Sequence, residues 1–296
     1  MNAMPTAAPR PRRSLIFAPG NRPDMFPKAA ATGADMVCID LEDAIAPGDK
    51  TLARERTLAL FAGPAPDADV EVLVRINALS TPEGLADVLA LRDLGTPPPA
   101  LMIPKAAAAA EIRLLAELLS TPATGAIRFH VIIETNAALE AAADMARASD
   151  RIDSLLFGGV DLAAELRSAT DWTSLLYARS RVVHAAAGAG LDVLDVPWLD
   201  LADLAGLAAE AAACRALGFT GKAAIHPRQI APINAAFSPA ETEIAWARQV
   251  NAAFAASESG LVVVDGKLIE RPVLRSVART LAIAERLAAA GSGSRP

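Results

Sequence analysis

The 296-residue sequence predicts a (β/α)₈ TIM barrel with a C-terminal helix-hairpin-helix extension. Three observations support this α/β fold class. Short β-rich runs alternate with helical stretches, which indicates parallel strands joined by helical crossovers. The runs are apolar almost throughout, as in strands buried on both faces. The repeating units occupy about 225 residues, close to the ~250 typical of such barrels, and the glycine fingerprint of a doubly wound nucleotide-binding sheet is absent.

The predicted strands follow one another in a regular order, and several helices between them end at glycine, which suits the left-handed turn after a helix. The eight strands are residues 13–19, 36–42, 70–77, 100–105, 127–134, 153–159, 191–197 and 221–227. The C-terminal part predicts a helix, a hairpin and a last helix. They cover residues 239–256, 261–270 with a turn at Asp265 and Gly266, and 273–290.

The sequence divides into three predicted parts. Residues 1–12 are basic and proline-containing, without the apolar core of a secretory signal, and are expected to form a disordered tail. Residues 13–230 are the barrel, which is the expected catalytic domain. Residues 231–296 are the extension, which we expect to serve as a lid or an oligomerisation element.

Composition argues against several partners. The net charge of −6, with one Tyr and three Trp, is unfavourable for nucleic-acid binding. No stretch approaches the ~18 strongly apolar residues of a membrane span. The two cysteines, Cys38 and Cys214, lie in apolar or helical patterns and are expected to be small buried hydrophobes. We therefore expect a cytoplasmic protein that binds neither nucleic acid nor membrane.

Charged residues cluster where the predicted strands end. In a parallel barrel these ends meet at one rim, which holds the active site. So many carboxylates in one place disfavour ionisation unless cations intervene, which suggests a bound metal. The rim residues are Asp40, Glu42, Asp43, Arg75, Lys105, Glu134, Asp161, Asp195 and His226.

The available ligands favour magnesium. There is no HExxH motif and no cysteine pair, and the three histidines lack ligand spacing, so zinc or iron would depend on carboxylates alone. Mg²⁺ suits two carboxylates that leave room for water and substrate oxygens. Glu134 and Asp161 each follow an apolar strand and are the predicted ligands. The alternatives are that Glu134 is a charge favourable to the next helix dipole and that Asp161 is a helix cap.

The chain resembles the citrate lyase beta subunit and its relatives, the malyl-CoA and citramalyl-CoA lyases of the aldolase superfamily, from about residue 13 to residue 287. The segments that carry the resemblance are "SLIFAPGNRPDMFPKA", "CIDLEDAI" with "KTLAR", "VRIN", "MIPK", "IIET", "FGGVDLAAEL", "GFTGKAAIHPRQI" and "VDGKLIERP". The first and the "GKAAIHPRQI" segment are specific in combination.

The resemblance implies magnesium on Glu134 and Asp161 and an arginine, here Arg75, on the substrate carbonyl. Two positions depart from the family pattern. Val160 stands where an acidic residue is frequent, and Glu270 stands where the family has an aspartate in its C-terminal segment. Glu270 is therefore predicted as the catalytic base, or its orienting partner, carried on a lid over a neighbouring subunit. The alternative is an exposed charge at the end of a hairpin.

The expected chemistry is reversible cleavage of a 3-hydroxyacyl thioester. A base removes the hydroxyl proton and the carbon-carbon bond breaks. The products are a 2-oxo acid and a thioester enolate. Magnesium would stabilise the alkoxide, and Arg75 would hold the enolate oxygen. Asp40, Glu42 and Asp43 are expected to hold metal-bound water and Arg75. Simple pairing of Arg75 with Asp40 or Glu42 is its alternative role.

The remaining candidates concern substrate and carrier binding. Arg22 and Lys28 in the first loop suit the phosphates of a CoA or phosphopantetheine carrier, and Arg13 is assigned with them; a solvated basic loop is the alternative. Lys105 and Asp195 are predicted substrate contacts. A Schiff base on Lys105 would be redundant beside a metal, so an ion pair is its simpler role.

Two other functions stay open on the sequence alone. One is a magnesium aldolase acting on free hydroxy-oxo acids, and the other is a non-catalytic subunit that binds an acyl thioester. The sequence does not select among citryl, malyl and citramalyl groups, or between CoA and an acyl-carrier protein. A homo-oligomer, a trimer or hexamer, is expected from the lid.

Overall fold

The computed structural model describes residues 10–63, 70–257 and 260–293. The barrel strands are β1 (Ser14–Pro19), β2 (Met36–Asp40), β3 (Glu71–Arg75), β4 (Ala100–Ile103), β5 (Arg128–Ile133), β6 (Ile152–Phe157), β7 (Asp192–Asp195) and β8 (Gly221–Ala224), and a separate hairpin comprises β9 (Leu261–Val264) and β10 (Lys267–Glu270). The helices are α1 (Met25–Ala30), α2 (Lys50–Ala59), α3 (Pro82–Arg92), α4 (Ala109–Leu118), α5 (Asn136–Met145), α6 (Gly159–Leu166), α7 (Trp172–Ala189), α8 (Leu204–Leu217), α9 (Ile230–Phe237), α10 (Glu241–Ala255) and α11 (Leu274–Gly293).

The eight strands close into a parallel barrel in chain order, which confirms the predicted fold class. The last strand, β8, pairs with β1, with Ser14 opposite Lys222. Each observed strand lies within or next to its predicted run and ends before most of the polar residues that follow it. Those residues leave the ladder and form the rim.

Alternation along the strands divides the apolar side chains into two sets. One set fills the middle of the barrel: Leu15, Met36, Cys38, Leu73, Ala100, Met102, Ile132, Leu156, Leu194 and Ala223. The other set faces the surrounding helices and includes Val37, Val74, Leu101 and Ile133. The interior of the barrel is therefore packed with apolar side chains between its two ends.

The helix ends follow local sequence signals. Thr81 and Thr135 are the N-caps of α3 and α5, and each hydroxyl accepts a backbone N–H three residues later, at 3.1 and 3.0 Å. The helices α7 and α8 end at Gly190 and Gly218, with φ of 73° and 115°. These left-handed positions confirm the glycine stops expected from the sequence.

Arg12 closes the amino end of the barrel. Its guanidinium contacts carboxylates on three strands, Glu71 at 2.6 Å, Asp153 at 2.7 Å and Asp192 at 3.1 Å. The prediction of a disordered tail over residues 1–12 is therefore wrong for Arg12, because three buried or half-buried carboxylates require its charge. Residues 1–9 of that tail lie outside the described residues.

The chain forms two compact units, and the barrel unit covers Arg12–Phe237. It includes α9, which packs against β1 and β8, so the unit ends one helix later than the predicted boundary at residue 230. The other unit contains α10, the hairpin and α11, as the sequence predicts. The hairpin turns at Asp265 and Gly266, which have φ of 50° and 73°.

The second unit has its own apolar core. The inward side chains of the hairpin, Val262, Val264 and Ile269, pack with Val250 of α10 and Val277 of α11. Alternate hairpin positions are exposed, so the hairpin has one buried face and one free face. Among the described residues, no helix combines the length and the apolar character needed to cross a membrane.

Candidate active site

Asp40 and Arg75 form the most buried ion pair of the rim. They end β2 and β3 and are partners in the strand register. Arg75 donates from Nε to Asp40 Oδ1 at 2.7 Å and from Nη2 to Oδ2 at 2.6 Å. Backbone N–H groups of Glu42 and Ala44 also bind this carboxylate. Burial opposes its ionisation, but Arg75 and these donors together hold the pKa of Asp40 below its usual value.

The remaining contacts of Arg75 fix the guanidinium plane. Its Nη1 lies 3.0 Å from Glu42 Oε2, an ion-pair contact without hydrogen-bond geometry, and 3.5 Å from Asp43 Oδ2. The guanidinium carbon lies 5.0 Å from the centre of the Phe17 ring. Pairing with Asp40 and Glu42, the alternative role for Arg75, is thus present in the structure. Its contact with a substrate stays a prediction.

Lys105 links the second strand end to the fifth. Its Nζ lies 2.6 Å from Glu42 Oε1 and 3.2 Å from Asp43 Oδ1, and its backbone N–H donates to Glu134 Oε1 at 2.7 Å. Burial lowers the pKa of Lys105, but the bond to Glu42 and the nearby carboxylates raise it above its usual value overall. A protonated amine is a poor nucleophile, which supports the ion-pair role over a Schiff base.

Glu134 and Asp161 lie on adjacent parts of the rim. Glu134 follows β5 and is buried, and Thr135 rather than Glu134 caps α5. Asp161 lies in the first turn of α6, whose N-cap is Gly158, so the helix-cap alternative for Asp161 does not match the structure. Both carboxylates interact with Lys105, Glu134 through the hydrogen bond above and Asp161 at 3.5 Å from Nζ.

Gly158 is required by the approach of Glu134. A Cβ on Gly158 would lie 2.3 Å from Glu134 Cβ and 2.9 Å from its Oε2. Such distances exclude any other side chain without movement of the backbone or of Glu134. The glycine pair of "FGGVD" therefore lets the backbone after β6 approach the site closely.

Burial raises the pKa of Glu134 to about 8, and the negative charges of Glu42 and Asp161 add to this effect. Lys105 opposes the shift only in part. At neutral pH the metal-free site therefore holds its proton on Glu134. A dication bound at the site would favour the ionised form of Glu134, because it offsets the negative charges of Glu42 and Asp161 and attracts the carboxylate itself.

This shift predicts proton release on metal binding. Below pH 8 Glu134 must lose a proton to become a ligand, so Mg²⁺ affinity should rise by up to about tenfold per pH unit between pH 6 and 8 and level off above. Calorimetric titration in buffers of different ionisation enthalpy measures both the affinity and the released proton. An affinity independent of pH over this window would contradict the assignment.

Asp195 is not part of the rim, and its prediction as a substrate contact is wrong. The preceding residue, Leu194, faces the barrel interior, so strand alternation directs Asp195 toward the helices. There its carboxylate is fully buried and bonded to Arg179, Lys222 and Cys214. These donors occupy the carboxylate within the helix layer, away from the mouth.

Arg13 is also misplaced by the sequence prediction. It precedes β1, so it lies at the amino end of the barrel, opposite the rim. Its guanidinium and its backbone N–H both bind Asp35, at 2.7 to 2.8 Å. Arg13 is therefore a structural residue and not a carrier contact.

Arg22 and Lys28 do lie after β1, on the rim side. Both are exposed and pair with Asp24, at 3.1 and 3.6 Å. Such exposed pairs are weak, so both cations are available to a phosphate. Glu270 ends β10 in the second unit and is exposed. The roles of these three residues stay predictions.

Lys50 and Asn77 support the rim and were not singled out from the sequence. The Nζ of Lys50 donates to the carbonyl oxygens of Leu41 and Glu42 at 2.9 and 2.7 Å, and to Asn77 Oδ1 at 2.7 Å. Lys50 thereby fixes the loop that presents Glu42 and Asp43. Both residues fall within the segments "KTLAR" and "VRIN", but their spacing alone does not show that they meet.

A second group of potential metal ligands lies at the opposite end of the barrel. Atoms of Glu71, His130 and Asp153 come within 4.8 Å of one another. Arg12 already binds both carboxylates, and His130 Nδ1 pairs with Ser154 at 2.7 Å. A guanidinium thus supplies the positive charge, so the rim is the better candidate for a metal centre.

A parallel barrel whose mouth holds buried carboxylates, a fixed arginine and a lysine has the arrangement of a barrel enzyme's active site. Residues 13–227 match the family model described as HpcH/HpaI aldolase/citrate lyase. The chain belongs to the HpcH/HpaI aldolase/citrate lyase family.

Relatives with assigned activities match over most of their length. L-malyl-CoA/beta-methylmalyl-CoA lyase from Cereibacter sphaeroides is 33% identical over 295 residues, covering 90% of this chain and 92% of the relative. Citrate lyase subunit beta from Leuconostoc mesenteroides subsp. cremoris is 33% identical over 287 residues, covering 93% and 94%.

Solved structures agree with the fold. The protein CitE from Mycobacterium tuberculosis, in complex with magnesium, acetoacetate and coenzyme A, superposes with a TM-score of 0.74 at 33% identity, covering 92% of this chain and 97% of that one. RipC from Yersinia pestis superposes with a TM-score of 0.69 at 36% identity, covering 78% and 97%.

Proposed function

We propose that this chain is a magnesium-dependent carbon-carbon lyase, which cleaves a 3-hydroxyacyl thioester into an acyl thioester and a 2-oxo acid. One observation carries the proposal. Arg75, held by Asp40, and the carboxylates of Glu134 and Asp161 share one rim, where Lys105 joins the two groups. The named activities of the relatives support the same reaction class.

The residues at the rim fit magnesium. Glu134 and Asp161 supply the oxygen ligands that Mg²⁺ prefers, and the buried, otherwise protonated Glu134 gains most from a nearby dication. When bound, magnesium would act as a Lewis acid toward the oxygens of the 2-oxo acid. A structure solved with magnesium and oxaloacetate, that of the citrate lyase beta subunit from Mycobacterium tuberculosis, supports this ligand chemistry.

Arg75 stabilises the charge that develops on the thioester oxygen. Asp40 binds its Nε and one Nη2 hydrogen, so other N–H groups of the same plane remain to bind an enolate oxygen. Phe17 lies against the guanidinium plane and the carboxylates bind its N–H groups, so little reorganisation is needed when charge develops. Glu42 and Asp43 keep the guanidinium of Arg75 near the rim.

Asp40 is unsuited to the base role. Its pKa lies below the usual value and both of its oxygens accept hydrogen bonds, so it is a weak acceptor for the hydroxyl proton. We assign the proton to Glu270, carried on the hairpin of the second unit of another copy of the chain. This assignment requires a homo-oligomer, for which we propose a trimer or hexamer.

Replacement of Glu270 tests the base. We expect Glu270→Gln to lose about 100-fold or more in kcat, because an amide cannot accept the proton, while Glu270→Asp keeps measurable turnover. Steady-state kinetics with the thioester substrate give both values. The matched control is Glu285→Gln, which removes an exposed carboxylate from α11 of the same unit. Full activity in Glu270→Gln would make Glu270 a surface charge.

The carrier is proposed to be CoA or an acyl-carrier protein in the cytoplasm, with its phosphates bound by Arg22 and Lys28. The proposed reaction is tested by incubating the protein with malyl-CoA, citramalyl-CoA and citryl-CoA in the presence of Mg²⁺ and measuring the released 2-oxo acid. Cleavage of free hydroxy-oxo acids alone would favour an aldolase, and binding without turnover would favour a non-catalytic subunit.

A further inference from the structure

Lys105 contacts both proposed magnesium ligands and the carboxylates beside them. Its N–H donates to Glu134 at 2.7 Å, and its Nζ lies 3.5 Å from Asp161 Oδ2. The same ammonium lies 2.6 Å from Glu42 and 3.2 Å from Asp43. One positive charge is therefore shared by carboxylates from different parts of the rim.

The backbone conformation of Lys105 separates the hydrogen bond of its N–H from the contacts of its ammonium group. Its φ is 51°, in the left-handed region that non-glycine residues seldom adopt. This conformation directs the N–H toward Glu134, while the side chain reaches Glu42, Asp43 and Asp161. The strain of such a conformation is usually retained at functional sites. Substitutions can therefore remove the ammonium and keep the bond to Glu134.

We propose that the Lys105 ammonium is a built-in counter-ion of the rim that competes with magnesium and so sets its affinity. The inference rests on the proposed magnesium site at Glu134 and Asp161. A dication placed at Asp161 repels an ammonium 3.5 Å from the same carboxylate. Lys105 then withdraws toward Glu42 and Asp43, which remain its partners.

This competition has a use at a solvent-accessible site. The Lys105 side chain is 36% exposed, so it can move without disturbing the packed core. The ammonium balances part of the negative charge of the carboxylates before the metal binds. Metal binding is therefore weaker, and the bound metal can exchange with solvent. A residue whose only role was to organise the carboxylates would have the opposite effect, because its loss would weaken metal binding.

The test is calorimetric titration of the metal-free protein with MgCl₂ at low ionic strength. We expect Lys105→Met to lower the dissociation constant for Mg²⁺ about tenfold, since the repelling charge is gone. Lys105→Gly should give the same tightening and keep the backbone bond, because glycine accepts the left-handed conformation. Lys105→Arg keeps the charge and should stay within about threefold of the wild type.

The control for net charge is Arg113→Met, which removes one cation from an exposed position on α4 and should leave the affinity unchanged. Unchanged or weaker Mg²⁺ binding in both Lys105→Met and Lys105→Gly would overturn the proposal. The proposed magnesium site is tested separately, by measuring the Mg²⁺ affinity of Glu134→Gln. If that variant binds Mg²⁺ as the wild type does, the site and this inference both fall.

Discussion

Glu134→Gln should lower the affinity for Mg²⁺ by more than about 100-fold and remove metal-dependent turnover, since even the loss of a residue that only supports a ligand costs 10- to 100-fold. The amide keeps the shape of the side chain and an oxygen that can accept the N–H of Lys105. It resembles the protonated acid that burial favours in the metal-free protein. Calorimetry with MgCl₂ and a 2-oxo acid assay measure the two losses.

The fold should not suffer from this change. We expect the thermal unfolding temperature of metal-free Glu134→Gln at neutral pH to equal or exceed that of the wild type, because folding of the wild type must either protonate Glu134 or bury its charge, and glutamine removes this cost. Asp161→Asn is the companion variant and should also lose Mg²⁺ binding. Unchanged affinity in Glu134→Gln would remove Glu134 from the metal site.

Arg75→Lys should reduce kcat/KM by about 100-fold or more, the cost typical of losing an oxyanion donor. A lysine cannot reproduce the two parallel bonds to Asp40 and also present a second N–H to the substrate. The stacking of the guanidinium over Phe17 is lost as well. Steady-state kinetics with the best thioester substrate measure the effect.

The unfolding free energy of Arg75→Lys must be measured as well as its turnover, because the buried Asp40 would then pair with a lysine, which binds it less well than arginine. A loss of about 1–3 kcal/mol in unfolding free energy is expected for such an incomplete replacement. Arg128→Lys is the matched control, since Arg128 pairs with Asp153 at the other end of the barrel. Full activity in Arg75→Lys would leave Arg75 with only its ion-pair role.

The fold was predictable because its signals are local and repeated. An apolar run recurs with every βα unit, and helix caps and glycine stops accompany several of these units. The rim was predictable for a related reason: the end of a parallel strand fixes which edge of the barrel a residue reaches. Asp40, Arg75 and Glu134 could be placed from that rule alone.

The errors at Asp195 and Arg13 show where the rule fails. The end of a strand gives the edge, but the phase of the strand decides whether a side chain faces the interior or the helices. In β7 Leu194 faces the interior, so its neighbour Asp195 faces the helices. The sequence of the strand does not reveal this orientation, because apolar residues lie on both of its faces. Arg13 lies before its strand, at the other edge of the barrel.

The contacts of Lys50 were out of reach for another reason. Its Nζ meets Asn77 and two carbonyl oxygens of a preceding loop, so the interaction depends on how α2 starts and how the loop folds back. No periodic pattern specifies such a geometry. The left-handed conformation of Lys105 is likewise invisible in a sequence, because lysine carries no preference for it.

The clamp that Arg12 forms across Glu71, Asp153 and Asp192 is separated from the mouth by a full apolar layer. Closure of the barrel and the chemistry of its mouth therefore depend on different residues. Over evolutionary time the metal ligands, the catalytic base and the carrier-binding residues at the mouth can change while the ion pairs at the amino end stay the same. A descendant with a new substrate would be expected to keep Arg12 and its carboxylates even after Glu134 or Glu270 had changed.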